Sequence, residues 1–281
     1  MSAELIRQRR LRLAQTAVLS GIVVWLASRA AAILMGPVGA WVALALVAGV
    51  TIHSLSSQRF LLPQGTRRVR WGDAPELHAA LQDLVTRAGL ESIPPVYVVP
   101  SQQPIALTTG WGDHTMLVVS TGLLQTLSWR ELRAVLAHEI SHLRNHDLPL
   151  FAVVGAMQRV TRIVSGVLMV IVLMSFPLLL FGMAILPPQA MLYLGLVPLV
   201  SVFAQMALLR TREFQADLGA AELTGDPEAL ASALTRIERA QRPFWSMIAT
   251  GTGGGAGGGG LGNLLRTHPT TQERIEHLRA L

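Results

Sequence analysis

The sequence LRAVLAHEISHLRNHD, at residues 132–147, contains two histidines that lie four residues apart. On an α-helix, side chains at positions i and i+4 project from the same side, so the imidazoles of His138 and His142 can bind one metal ion. Glu139, beside the first histidine, can hold and deprotonate a water molecule at that ion. The sequence SWRE at 128–131 is a capping box, which places both histidines well inside the helix.

The pattern H-E-x-x-H is typical of zinc-dependent proteases, but it also occurs by chance and needs support from the rest of the chain. Taken alone, it has an alternative interpretation as a surface helix that carries a few polar residues. A catalytic zinc ion requires three protein ligands and one open position. His146 follows His142 by four residues, but it lies two helical turns from His138, so the third ligand must come from elsewhere.

The leading candidate for the third ligand is Glu213, which opens the sequence E-F-Q-A-D. Asp217 lies four residues further on, on the same helical face, where its carboxylate can orient a histidine ligand by accepting the other ring N–H. The alternative is a solvated helix face on which Glu213 pairs with Arg210. Together with H-E-x-x-H, the spacing favours one zinc ion per chain, bound by His138, His142 and Glu213.

The composition of the chain indicates a membrane protein. Of 281 residues, 51% are hydrophobic and 14% are charged, and the mean hydropathy is +0.45, whereas soluble domains carry about a quarter charged residues. The absence of cysteine excludes a disulfide framework, Cys-zinc sites and a thiol nucleophile. The net charge of +6 lies largely beside apolar segments, where it reports membrane topology, so we expect no nucleic-acid partner.

Hydropathy predicts four transmembrane helices in two hairpins. Apolar runs at 13–35 and 38–55 form the first hairpin, and runs at 163–186 and 190–209 form the second. A cleavable signal peptide is the alternative for the first run, but the second run follows it almost at once. Arginines flank the outer ends of the first hairpin, which places both termini in the cytoplasm.

The segments outside the hairpins have the composition of a soluble domain. We expect an α+β membrane protein, in which four transmembrane helices carry a cytoplasmic, mainly helical domain with a small β-sheet. The predicted parts are a transmembrane hairpin at 1–55, a first catalytic segment with H-E-x-x-H at 56–150, a second hairpin at 151–209 and a second catalytic segment at 210–281. Strands are expected at 94–99, 105–109 and 115–120, and a helix at 73–90 with Asp73 as its N-cap.

The chain resembles HtpX-type integral-membrane zinc metalloproteases, which belong to a larger family that includes the CAAX prenyl proteases. The matching pieces are STGLL (120–124), ELRAVLAHEISH (131–142), REFQAD (212–217) and THPTTQERI (267–275), in the same order and with the same four-span plan. The resemblance implies a zincin domain of the gluzincin type and a zinc endopeptidase of the bacterial inner membrane, with its active site in the cytoplasm. It also implies protein substrates, either misfolded or membrane proteins, and a role in stress response and protein quality control.

The metal chemistry and the resemblance together suggest roles for three further residues, Glu139, His268 and Arg274. Glu139 is expected to act as general base and to pass its proton to the leaving amine. His268, in the sequence T-H-P, is a candidate donor to the oxyanion, with a structural loop histidine as the alternative. Arg274 is expected to hold this segment in place by a salt bridge. The glycine-rich stretch 250–260 before it should be flexible.

The strand beside the active site departs from the family pattern. The family usually has an asparagine-alanine-phenylalanine run there, whereas this chain has Ile105, Ala106 and Leu107 after Pro104. An edge strand at this place can bind an extended substrate by β-augmentation, and a proline removes one N–H from that ladder. The departure therefore concerns cleavage preference and leaves the catalytic groups intact.

Two other functions are open on the sequence alone. One is a catalytically silent membrane scaffold or adaptor of the same fold, but a scaffold has no physical need for a general base such as Glu139. The other is a protease that processes prenylated proteins with the same chemistry. Four predicted spans count against it, since the resemblance implies a larger helical chamber around the site in that branch.

Overall fold

The computed structural model describes residues 36–56, 63–110, 115–183, 188–249 and 270–281, together with parts of 14–33. The chain divides into two compact units. One consists of Met1–Ser57 and Phe151–Leu209, and the other of Gln58–Leu150 and Arg210–Leu281. The assignment of these stretches to a membrane part and a catalytic part stays a prediction.

Helices dominate the part of the chain that the structure describes. They are α1 (Pro37–Ser56), α2 (Pro75–Ala88), α3 (Thr121–Thr126), α4 (Trp129–Arg144), α5 (Asp147–Leu180), α6 (Pro188–Thr224), α7 (Pro227–Ala249) and α8 (Thr271–Arg279). By length and composition, one helix among the described residues can cross a membrane, Leu192–Thr224 within α6, and Val24–Ile33 and Pro37–Leu46 are shorter apolar helices. The four predicted spans therefore stay a prediction.

The small β-sheet predicted from the sequence is confirmed. Its strands are β1 (Arg67–Arg68), β2 (Val96–Val99), β3 (Ala106–Thr109) and β4 (Met116–Ser120), in the order β1-β2-β4-β3. Strand β4 pairs with β2 in parallel and with β3 antiparallel, and β1 pairs with β2 antiparallel. Strand β3 therefore lies at one edge of the sheet. Strand β1 was not predicted, because two exposed arginines carry no apolar alternation.

The core of the second unit surrounds the motif helix α4. Fully buried side chains come from helices α2, α3, α4, α7 and α8 and from strand β4, and they include Leu81, Leu117, Leu123, Leu136, Ile140, Leu230 and Leu278. Every residue of α4 from Ala134 to His142 is buried, so the polar side chains in this stretch need partners inside the protein.

Three helix boundaries differ from the sequence-based expectations. The apolar run at 190–209 and the helix of Glu213 form one continuous helix, α6, because no glycine or proline interrupts residues 199–218. The sequence predicts a helix that starts with proline at its first position, Pro227, and runs to about Gln241, whereas α7 continues to Ala249. The predicted N-cap Asp73 was wrong: α2 begins at Pro75, and the Asp73 carboxylate instead accepts a hydrogen bond from the backbone N–H of Arg70.

Candidate metal centre

Helix α4 is fixed at its start by the predicted capping box. The Ser128 hydroxyl accepts a hydrogen bond from the backbone N–H of Glu131, and the Glu131 carboxylate accepts one from the backbone N–H of Ser128 at 2.8 Å. His138 and His142 lie in the second half of this helix, both buried. The helix therefore presents two imidazoles to the interior from a backbone with satisfied hydrogen bonds.

Three side chains converge beside α4. The Nε2 atoms of His138 and His142 are 3.2 Å apart, and the Glu213 carboxylate lies 3.7 Å from the first and 4.0 Å from the second. Donor atoms about 2.1 Å from a tetrahedral ion lie about 3.4 Å from one another. The three residues could therefore hold a metal ion, with all donor atoms within 4.8 Å of one another. Arg210, the alternative partner of Glu213, lies 3.8 Å from Glu273 instead.

Asp217 lies behind the first of the two histidines. Its Oδ1 is 2.9 Å from Nδ1 of His138, and the guanidinium of Arg274 binds both carboxylate oxygens at 2.6 and 2.8 Å. Burial opposes ionisation of this carboxyl, but the hydrogen bonds from Arg274 and His138 outweigh burial and hold the pKa of Asp217 below its usual value. The ionised carboxylate accepts the Nδ1–H of His138, which directs the lone pair of Nε2 toward Glu213 and His142.

Asp147 occupies the equivalent place behind the second histidine. Its Oδ2 lies 2.9 Å from Nδ1 of His142, and its Oδ1 lies 3.4 Å from the guanidinium of Arg212. At the end of the motif helix, Asp147 can brace that helix or lie at the surface on the sequence alone, but helix spacing does not predict its contact with His142, because residues five apart do not face each other on a helix. Helix α4 ends at Arg144, and His146 adopts a positive φ of 56° before α5 begins, which returns Asp147 to the imidazole.

The charges around the centre fit a divalent cation. The carboxylates of Glu139, Asp147, Glu213 and Asp217 are buried, and the guanidinium groups of Arg212 and Arg274 lie against them. Four carboxylates and two guanidinium groups leave a formal charge of −2, which is costly to bury without compensation. A divalent ion between the two imidazoles and Glu213 cancels it. Two imidazoles and a carboxylate are also a common ligand set of catalytic zinc.

Glu139 lies next to the metal cluster and faces the sheet. It is 8% exposed, and its Oε2 accepts a hydrogen bond of 2.9 Å from the hydroxyl of Thr108, on edge strand β3. The sequence analysis did not single out Thr108, since the contact joins residues 31 positions apart. Its only local signal is the alternation of β3, which places Ala106 and Thr108 on one face.

Strand β3, where the sequence predicts substrate binding, lies at the sheet edge, and its backbone groups point in two directions. The backbone carbonyl of Ile105 accepts a hydrogen bond from the backbone N–H of Ser120, so the backbone groups of Ile105 point toward β4. By alternation, those of Leu107 also point toward β4. Leu117, opposite Thr108, bonds to Pro95 on the other side of β4. The backbone groups of Ala106 and Thr108 therefore point outward from the sheet.

Of the two residues near the C-terminus for which the sequence predicts a role, the structure describes Arg274 but not His268. Arg274, in α8, contacts both Asp217 and Glu213, the latter at 3.1 Å. A capping box between Thr270 and Glu273 begins α8. His268 and the glycine-rich stretch 250–260 lie outside the described residues. The role of His268 therefore stays a prediction.

A close approach of two helices sets the distance between the ligands. Gly219 in α6 faces Ser141 in α4, and a Cβ at position 219 would lie 2.6 Å from Oγ and 2.9 Å from Cβ of Ser141. Ser141 is fully buried, and its hydroxyl is bonded to the Ala137 carbonyl at 2.8 Å. Only a residue without a side chain fits at 219 without moving one of the two helices.

We expect Gly219→Ala to separate α4 from α6 and to reduce metal retention, with an overpacking cost of about 1–3 kcal/mol in unfolding free energy. The double variant Gly219→Ala/Ser141→Gly removes the clashing atoms and should recover metal content, measured in the purified protein by elemental analysis. Gly166→Ala is the matched control, since a Cβ there meets nothing within 4 Å. Normal metal content in Gly219→Ala, or no recovery in the double variant, would contradict this account of the contact.

Comparison with known proteins agrees with this geometry. A profile of peptidase family M48 matches residues 72–281. The chain is 33% identical over 258 residues to "Protease HtpX homolog" of Paraburkholderia phytofirmans (strain DSM 17436 / LMG 22146 / PsJN), covering 86% of this chain and 87% of the relative. A relative with the same name and the same coverage, from Burkholderia mallei (strain SAVP1), is 33% identical over 263 residues.

A solved structure shares the fold. The crystal structure of S. mikatae Ste24p superposes with a TM-score of 0.53 at 22% sequence identity, covering 99% of this chain and 67% of that chain. This likeness shows the fold, and the family match, the relatives named as proteases and the His-His-Glu cluster define a metalloprotease. The chain belongs to peptidase family M48, and it resembles the HtpX-type proteases within that family.

Proposed function

We propose that the chain is a zinc-dependent endopeptidase of the bacterial inner membrane that cleaves misfolded or membrane proteins. The observation that carries the proposal is the buried cluster of His138, His142 and Glu213, whose donor atoms lie within 4.8 Å of one another. Each imidazole is oriented from behind by a buried aspartate, which is the arrangement of catalytic histidine ligands.

The proposed chemistry assigns one role to each group. Zinc, when bound, supplies a Lewis acid that polarises a carbonyl and acidifies water near neutral pH. Glu139 is not part of the ligand cluster, so its carboxylate is available as a general base that takes the proton from water and returns it to the leaving amine. His268 is proposed as a donor to the oxyanion. Arg274 holds Asp217 and thereby the orientation of His138.

Strand β3 is the proposed binding place of the substrate backbone. Ala106 and Thr108 offer outward N–H and C=O groups, which an extended peptide can pair by β-augmentation. Pairing ends at Pro104, because proline has no N–H and its carbonyl already accepts a hydrogen bond from Gln241 at 3.3 Å. Backbone pairing is independent of sequence, which suits an endopeptidase that accepts many unfolded segments.

The membrane assignment rests on composition. We propose four transmembrane helices in two hairpins, with both termini and the active site in the cytoplasm. The apolar helix Leu192–Thr224 supports one span, and the arginines beside the first hairpin support the orientation. A partner in this arrangement is the lipid bilayer itself. Because α6 contains both an apolar segment and Glu213, insertion of the second hairpin precedes completion of the ligand set in this proposal.

The test is metal analysis and proteolysis with purified full-length protein in detergent. We expect about one zinc ion per chain. We also expect cleavage of unfolded casein that stops with a zinc chelator such as 1,10-phenanthroline and returns on addition of zinc. A non-chelating isomer, 1,7-phenanthroline, is the matched control and should leave cleavage unchanged.

The outcomes separate the alternative functions. Bound zinc without cleavage of casein, a membrane protein or a prenylated peptide would support a silent scaffold. Cleavage confined to prenylated peptides would support a prenyl-protein protease. Cleavage of casein that persists at full rate in the chelator would contradict a metal-dependent reaction.

A further inference from the structure

Thr108 links the edge of the sheet to the proposed general base. Its hydroxyl donates a hydrogen bond of 2.9 Å to Oε2 of Glu139, and both side chains are buried, at 9% and 8% exposure. The residues that could hold a metal ion are His138, His142 and Glu213. The bond connects strand β3 directly to helix α4, beside the two histidines.

We propose that Thr108 is a positioning residue that fixes the carboxylate of Glu139 for proton transfer and couples it to the bound substrate strand. This inference rests on the proposed function, in which Glu139 acts as general base. Thr108 itself transfers no proton and binds no metal. It acts through the orientation of Glu139.

The hydrogen bond limits the freedom of a flexible side chain. A glutamate rotates about three side-chain bonds, and proton transfer requires its oxygen within hydrogen-bond reach of the attacking water. A donor on Oε2 leaves Oε1 free to meet that water, so the two oxygens have separate tasks. A hydrogen bond to an ionised carboxylate is among the stronger ones in proteins, and its loss leaves a buried charge with less stabilisation.

The position of Thr108 on β3 gives the bond a second consequence. Its backbone N–H and C=O point outward from the sheet, while its side chain faces α4. A peptide that pairs with β3 therefore bonds to the same residue whose hydroxyl holds the base. The positions of the substrate backbone and of the general base are then both set by β3. Any shift of β3 on binding moves the Glu139 carboxylate with it.

The test compares three single variants of the full-length protein. Thr108→Val keeps the shape but removes the hydroxyl, Thr108→Ser keeps the hydroxyl, and Thr235→Val makes the same change in helix α7. The hydroxyl of Thr235 donates a hydrogen bond of 2.9 Å to the Ala231 carbonyl in its own helix, which makes that variant a matched control. Each is assayed for kcat and KM on one fluorogenic peptide, together with metal content.

We expect kcat of Thr108→Val to fall about tenfold or more, because a hydrogen bond to a charged group is lost. KM and metal content should change little, and Thr108→Ser should retain most of the wild-type kcat. Thr235→Val should match the wild type. Where valine prevents folding, the pair Thr108→Ala and Thr108→Ser carries the same comparison, since the two differ in the hydroxyl alone.

Two results would overturn the inference. One is an unchanged kcat in Thr108→Val. The other is an equal loss in Thr108→Ser and Thr108→Val, which would assign the effect to packing of the methyl group. Failure of the proposed function is separately visible, since a wild-type protein without peptidase activity, or an active Glu139→Gln variant, would remove the base that Thr108 is inferred to hold.

Discussion

Replacing Glu139 with glutamine is expected to abolish cleavage while the protein keeps its metal. Glutamine has nearly the same shape as glutamate and can still accept a hydrogen bond from Thr108, but it cannot take a proton from water. Loss of general-base catalysis lowers kcat by about a thousandfold. The three cluster residues do not include Glu139, so metal content should remain that of the wild type.

The measurement is kcat on unfolded casein or a fluorogenic peptide, with zinc determined on the same samples. Glu222→Gln is the matched control, because Glu222 is an exposed glutamate of α6 whose carboxylate pairs with Arg144 at 3.0 Å. That variant should cleave at the wild-type rate. Undiminished proteolysis by Glu139→Gln would end the proposed mechanism, and loss of metal in this variant would move Glu139 into the ligand set.

The sequence was sufficient for those parts of the centre that rest on local geometry. His138 and His142 follow from the i,i+4 spacing, and Glu213 and Asp217 repeat that spacing on a second helix. The capping box before α4 is equally local, because it joins residues three apart. In each case the helix period alone determines which side chains share a face, and the structure places these four side chains together.

The rest depends on where the chain turns and on which elements meet. Asp147 reaches His142 because α4 ends and His146 takes a left-handed conformation. Glycine usually marks such a position in a sequence, and here the residue is a histidine. The contact between Thr108 and Glu139 requires the register of β3 beside α4, which no local pattern contains. Gly219 has the sequence context of an ordinary helix, and its importance is visible only when Ser141 faces it.

The charged residues behind the two histidines form two similar pairs. Asp147 and Asp217 hold the rear nitrogens of the two imidazoles, and Arg212 and Arg274 hold the aspartates. Residue spacing predicts only the half that starts from His138. The other half repeats it behind His142, with an aspartate from the next helix in place of one from α6. Each histidine therefore has an aspartate and an arginine behind it, although the two aspartates come from different helices.

Replacing Glu213 with alanine is expected to remove most of the metal. Two imidazoles alone cannot complete the three-ligand set of catalytic zinc, and the variant also loses one of the carboxylates that balance a divalent ion. We expect metal affinity to fall by more than a hundredfold, beyond the loss of about 10–100-fold that is typical when only a supporting residue is changed. Elemental analysis after dialysis against a weak chelator measures the effect, and cleavage should be lost in parallel.

Two comparisons make the Glu213 result specific. Glu222→Ala changes the same residue type nine positions along the same helix, and it should retain metal and activity because its carboxylate is exposed. Asp217→Asn keeps Glu213 but weakens the support of His138, so it should retain an intermediate amount of metal. An order in which Asp217→Asn loses more metal than Glu213→Ala would mean that orientation of the imidazole contributes more than the third ligand. Unchanged metal content in Glu213→Ala would remove Glu213 from the centre, and the buried carboxylate would then serve Arg274 alone, 3.1 Å away.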